Sequence, residues 1–365
     1  AADTVSKADG GQFDGNITIA GTVAVTGTST LTGNVAASGN LTVSGDIIKS
    51  TAGTSNFAAG VNAGNSIQSG GNYNTVVGDE AGTAITTGDN NVAVGDQAGT
   101  AITTGGQNTA VGRKAGLGIT EGAENTAIGQ VALATLSTGS QNTAIGSGAL
   151  NAVTTVDNNT AVGYSAGLSI TTGIQNVLVG SLAGDALTDA DYNVAIGFET
   201  LSTDTQGSRS VAIGTSALKN QNFSSATNAY NVCIGYEAGN DITTGQQNTL
   251  IGGLAGDKLT DADYNVVMGL NALGADTKGS RSTAVGYSTL NAQNFTSATN
   301  SDNSAFGYTA GQSITTGIQN VLIGTSAGPN LTDADYNTAV GKSALATDTK
   351  GSNSTAIGNG ALNTQ

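Results

Sequence analysis

The chain has 365 residues and a formal net charge of −15, with Gly at 55 positions, no His, no Trp, and only 10% charged residues. This negative excess, with Lys and Arg scattered, offers no basic patch and argues against nucleic acid and anionic membrane partners; no apolar run approaches the roughly 18 residues needed to span a bilayer. Hydrophobic residues still make up 38% of the chain and recur at fixed phase, which argues against disorder.

Residues 1–14 carry no period and read as a connector. From Gly15 a glycine returns every six residues, at Gly21, Gly27, Gly33, Gly39 and Gly45, with apolar residues alternating between them (Ile17 and Ile19, Val23 and Val25, Leu41 and Val43). This predicts minimal strands with a turn at each glycine. A hexapeptide β-helix of the acyltransferase kind relies on a His, so a narrow intertwined β-stalk over 15–50 is the expected form.

Over 51–365 a different unit takes over. A motif Asn-x-Ala-Ile/Val-Gly, followed two residues later by Ala-Gly or Ala-Leu, closes on Gly78, Gly95, Gly112, Gly129, Gly146 and so on to Gly358 in steps of 17 residues, except for two steps of 21, from Gly214 to Gly235 and from Gly286 to Gly307. With the related stretch from Asn56 to Gly60 there are 18 units. A period this strict means stacked coils, none of which can bury its apolar face alone: an all-β, repetitive parallel β-solenoid.

Within a unit, the residue after Asn (Thr75, Val92, Thr109) and the residue before Gly (Val77, Ile128, Ile213, Met268, Phe306) share one face of a short strand; the residue between them, usually Ala, takes the other. Both faces are apolar, so one fills the coil and the other awaits cover, most naturally from another copy of the chain. A second short strand is expected around Ala81, Ala98, Ala115, Ala132 and Ala149. Asn74, Asn91, Asn108 and their successors should align as a side-chain ladder.

A slower period of 72 residues overlies the first: Leu187–Tyr192 returns as Leu259–Tyr264 and Leu331–Tyr336. The same alignment pairs Leu218 and Leu290, each followed by Asn-Phe, with Leu362, where the sequence ends three residues later; the natural polypeptide is expected to continue past Gln365.

Asn125–Gly129, Asn142–Gly146 (both Asn-Thr-Ala-Ile-Gly) and Asn193–Gly197 (Asn-Val-Ala-Ile-Gly) resemble the head repeats of trimeric autotransporter adhesins. That resemblance implies a left-handed parallel β-roll with three chains side by side. Gly39–Gly45 is similar to stalk sequences of bacteriophage tail fibres, in which β-roll arrays also occur. Together these imply a homotrimeric phage tail or virion fibre shaft that contributes to host attachment at the virion surface; a bacterial cell-surface adhesin or extracellular filament subunit is the alternative. The neck, coiled-coil stalk and membrane anchor of those adhesins have no counterpart in the sequence.

Gly163–Gly167 and Gly324–Gly328 match a Gly-x-Ser-x-Gly nucleophile elbow, but without any His there is no usual general base, and no enzyme activity is expected. Cys233 stands where sister coils have Ala and reads as a small buried residue. The acidic turns Asp189/Asp191, Asp261/Asp263 and Asp333/Asp335, with Asp185, Asp257 and Asn330 ahead of them, are either an oxygen-rich Ca²⁺ site or solvated turns capping backbone N–H groups. The two 21-residue units are expected to bulge as loops, Lys219 to Tyr230 and Asn291 to Asp302. There Phe223 and Phe295, flanked by Asn222, Asn228, Asn294 and Asn300, either cover their own coils or form a stacking platform for a cell-surface glycan or protein receptor.

Overall fold

The computed structural model describes residues 51–363; the connector at 1–14, the six-residue repeat over 15–50 and Gln365 lie outside them. The described residues form a β-solenoid with one parallel sheet of 18 three-residue strands, from Phe57–Ala59 to Thr355–Ile357, and no helix. Each strand pairs with its counterpart in the next coil. Thr75 lies opposite Val92, and the register survives the long coils, where Val211 meets Val232 and Thr283 meets Ser304. Val92 N donates to Asn108 O (2.8 Å) and Gly95 N to Val77 O (2.8 Å), so the ladder runs continuously from coil to coil.

The strands stop after three residues because the chain turns at a glycine. At Gly95, φ is +131° and an added Cβ would lie 2.7 Å from the carbonyl oxygen of Gly112, so neither the conformation nor the spacing admits a side chain. The most regular letter of the sequence is therefore where adjacent coils approach most closely.

The two strand faces differ in place and in composition, the outward one carrying Thr or Ser beside its aliphatic row in many coils. The middle residue points inward, and Ala93, Ala110, Ala212 and Cys233 are fully buried, whereas the flanking residues point outward, with Ile128 and Ile145 each 37% and Met268 40% exposed. A 17-residue coil encloses little space. Three inward columns fill it, represented by Ala93, Ala98 and Ile102, all without solvent exposure. Where the strand supplies Leu178, the turn opposite supplies Gly184, at which a Cβ would meet Leu178 Cδ2 at 2.9 Å.

The column around Ala81, Ala98 and Ala115 is a turn, which corrects the expected second strand. The flanking residues are left-handed, Glu80 at φ 53° and Gly82 at φ 56°, so the chain reverses its curvature at successive residues and cannot extend. Hydrogen bonding between coils persists there through Gly82 N to Ala98 O (2.9 Å) and Gln97 N to Asp79 O (2.8 Å). Leu133, Leu150, Leu201 and Leu218 adopt the same left-handed state at φ 46–52°. That conformation costs about 1 kcal/mol at a non-glycine residue, while burying a leucine side chain returns about 2 kcal/mol, so burial decides the position.

The asparagine ladder forms as expected. Asn74 Oδ1 accepts from the backbone N (2.9 Å) and Nδ2 (3.1 Å) of Asn91, and Asn91 Nδ2 also donates to Gly105 O (2.9 Å) across its own coil. Each fully buried amide thus ties two coils together and closes a turn, which satisfies groups that no water reaches.

Candidate functional site

The 21-residue coils depart most from the repeat. Their insertion is narrower than Lys219–Tyr230 and Asn291–Asp302: Lys219 and Asn220 stay in the ladder, with Thr203 N donating to Lys219 O (3.1 Å) and Asn220 N to Asn240 O (3.0 Å). Beyond an exposed stretch at 224–226 the chain rejoins the array through Thr227–Asn228, which pairs in parallel with Gly207–Ser208. Thr299–Asn300 pairs likewise with Gly279–Ser280, and 296–298 is the second exposed stretch.

Phe223 and Phe295 are 5% and 6% exposed, so neither ring is free to stack on a ligand in the single chain. Each closes the interior of its own coil against a glycine, since a Cβ on Gly207 or Gly279 would meet the ring's Cδ2 at 2.8 Å. Asn222 and Asn294 remain exposed, and their Oδ1 atoms accept from Thr205 (3.4 Å) and Thr277 (3.2 Å) hydroxyls.

Beneath each phenylalanine lies a buried polar network that the sequence reading missed. Asp204 and Gln221 are fully buried at places filled by Ile or Leu in ordinary coils. Asp204 Oδ1 accepts from Gly207 N (3.0 Å) and Phe223 N (3.1 Å), Asp204 Oδ2 accepts from Gln221 Nε2 (2.5 Å), and Gln221 Oε1 accepts from Asn231 Nδ2 (2.8 Å). The second long coil repeats this with Asp276, Gln293 and Asn303. At Ser210 and Ser282, which interrupt the asparagine column, the glutamine side chain carries the ladder on to the next coil. The signal was present as polar residues at the phase of Ile85, Ile102 and Ile119.

The acidic turns do not converge. Asp191, Asp263 and Asp335 each turn Oδ1 toward a backbone N of the preceding coil, on Ile174 (2.8 Å), Gln246 (2.7 Å) and Ile318 (2.8 Å). Asp189, Asp261 and Asp333 accept from the preceding threonine hydroxyl at 3.4, 3.2 and 3.1 Å. Lys278 and Lys350 stand 3.9 and 3.7 Å from Asp261 and Asp333. The Thr332 hydroxyl foremost holds the Asp333 carboxyl below its ordinary range. Among the described residues no three acidic, His or Cys side chains gather as a metal shell, and the geometry is that of capped turns.

Asp185 and Asp257 each keep one buried carboxylate oxygen without a partner, and burial foremost pushes both carboxyls up. At the place of Asp257 the third block has Pro329, not Asn330: Ser313 N donates to Pro329 O (3.1 Å) as Asp241 N does to Asp257 O (2.9 Å).

Ser165 and Ser326 sit at left-handed turn positions, φ 52° and 51°, rather than on a strand-to-helix elbow, and Ser326 Oγ shares a hydrogen bond with Thr309 (3.0 Å). Cys233 is fully buried, and that burial raises its thiol far above the ordinary value, which leaves it unreactive. No protein-family model, curated protein or solved structure matches the chain, so its function is read from its own geometry.

Proposed function

We propose that the chain is a non-enzymatic structural protein, the shaft of a fibre in which three parallel copies wind left-handed and press the outer faces of their sheets together. The observation that carries this reading is the outer strand face. Ile128, Ile145, Ile196, Met268, Phe306 and Ile323 are each between 36% and 41% exposed and follow one another along the sheet. The stripe runs along 18 rungs, roughly 85 Å, with Val, Ile, Met or Phe in the row before the glycine from Val77 to Ile357, and Thr, Val or Ser in the row beside it. Monomers rarely leave more than a few hundred Å² of contiguous apolar surface in water, so an unbroken aliphatic and aromatic row of this length is suited to cover by another copy of the chain. Three copies rather than two follows from the resemblance to adhesin head repeats. The similarity of the segment before residue 50 to tail-fibre stalks favours a virion fibre serving host attachment; the adhesin repeats alone favour a bacterial surface filament, which would use the same shaft.

The reading is tested at the stripe. Replacing Ile196 and Ile323 together by Asp is expected to leave the coils folded, because both side chains already touch water, and to dissociate the assembly, because each interface would then bury unpaired charge. Circular dichroism and light scattering on the variant read the two effects separately. A double variant that keeps the parent's molecular mass shows that the stripe is not the contact.

A further inference from the structure

The residue before each ladder asparagine is left-handed along the array, and these side chains form an exposed column. In it Tyr192, Arg209 and Tyr230 are consecutive. The Arg209 guanidinium carbon lies 4.7 Å from the ring centroid of Tyr192 and 6.0 Å from that of Tyr230, and its Nε donates to Asn228 Oδ1 (3.0 Å) on the strand that follows the insertion. The guanidinium thus lies within cation–π range of a ring on each neighbouring coil, closer to Tyr192, and Asn228 holds its Nε. Neither Nη group has a hydrogen-bond or ion-pair partner among the described residues, although Arg113, Lys219, Lys258, Lys278 and Lys350 all pair with carboxylates. The nearby Asp191 carboxylate is engaged by Ile174 N of the preceding coil.

We propose that Arg209 is a binding point for the carboxylate of an acidic sugar. A guanidinium held between two rings presents its two outer N–H groups as a fork, which a carboxylate fits with two parallel hydrogen bonds; a phosphate fits it too, but carries more charge toward an acidic chain. The exposed edges of Tyr192 and Tyr230, 42% and 51% exposed, leave an amphipathic rim suited to a sugar ring. The chain's net charge of −15 repels densely charged polyanions and favours a glycan whose carboxylates are isolated on neutral sugars. The fold supplies its own control: in the next block Tyr264, Arg281 and Asp302 are consecutive in the same left-handed column, so Asp302 stands in the place of Tyr230 and a carboxylate replaces the second ring. The assignment deepens the attachment reading and rests on it for its biological purpose, while its test reads binding directly and can fail with the fibre intact.

The test is calorimetric titration of the purified, assembled protein with 3′-sialyllactose, with tri-galacturonate and with lactose. Binding of either acidic probe and not of lactose is expected, and the probe that binds distinguishes a sialate from a uronate. Arg209→Gln should weaken that binding about 10- to 100-fold at unchanged assembly mass, and Arg209→Lys should weaken it as well, because an ammonium lacks the fork. Asp302→Tyr should add a second site around Arg281. The proposal is overturned if neither acidic probe binds, if lactose binds equally well, if Asp302→Tyr leaves the stoichiometry unchanged, or if Arg209→Gln dissociates the assembly, which would place Arg209 in a contact between chains.

Discussion

Replacing Ala212 by Asp is expected to unfold the coils around it. Ala212 is fully buried between Ala195 and Cys233 of the neighbouring rungs. An unpaired charge there would cost about 3–5 kcal/mol or be neutralised by protonation, and the added volume would strain a coil already filled by alanines. The neighbouring Ile213 points outward and is half-buried, so Ile213→Asp should perturb assembly and spare the coil. Because each coil contacts only the coils next to it, the Ala212→Asp defect should divide the array, and limited proteolysis should cut between residues 195 and 235. A variant that melts and resists protease like the parent would show that the middle residue of the strand is not in the interior.

The second large effect is expected at Asp204. Asp204→Ala leaves the backbone N–H groups of Gly207 and Phe223 without an acceptor in a place that water does not reach, and leaves the Gln221 amide with only the Ser210 hydroxyl, at a cost of about 3 kcal/mol or more. Asp204→Asn should recover only part of this, because one amide oxygen cannot replace both carboxylate oxygens. Asp189→Asn, on an exposed turn, should stay within about 0.5 kcal/mol of the parent. Thermal melts of the three variants give the order, and equal melting temperatures for Asp204→Ala and Asp189→Asn would contradict the network's role in holding the long coil.

Much of this fold was legible because its constraints are local and repeated. The glycine of each unit reports a close approach between coils, the alanine two residues before it reports a narrow interior, and Asn74 and its successors report a ladder that only stacking can build. The turn around Ala81 was not legible, because its left-handed residues include Glu80, Gln97 and Leu133, whose side chains carry no mark of that conformation and are held there by contacts with the next coil. Which strand face lies inside was also hidden: Ala212 and Ile213 are both apolar, and only closure of the coil selects the smaller for the interior. Phe223 was legible as a departure from the repeat, but its burial depends on Asp204 and Gly207, nineteen and sixteen residues earlier in sequence and adjacent only after folding. The polar residues at the phase of Ile102 stood in plain view; what could not be read was that Asp204, Gln221 and Asn231 would satisfy one another.

The claim on which the fibre reading rests is that the outer strand face is covered by two further copies. Sedimentation velocity on the purified protein, with small-angle scattering on the same sample, tests it most directly. A species of three chains containing an elongated array about 85 Å long, 18 coils at roughly 4.8 Å each, is predicted. A stable, soluble species with the mass of a single chain would contradict it.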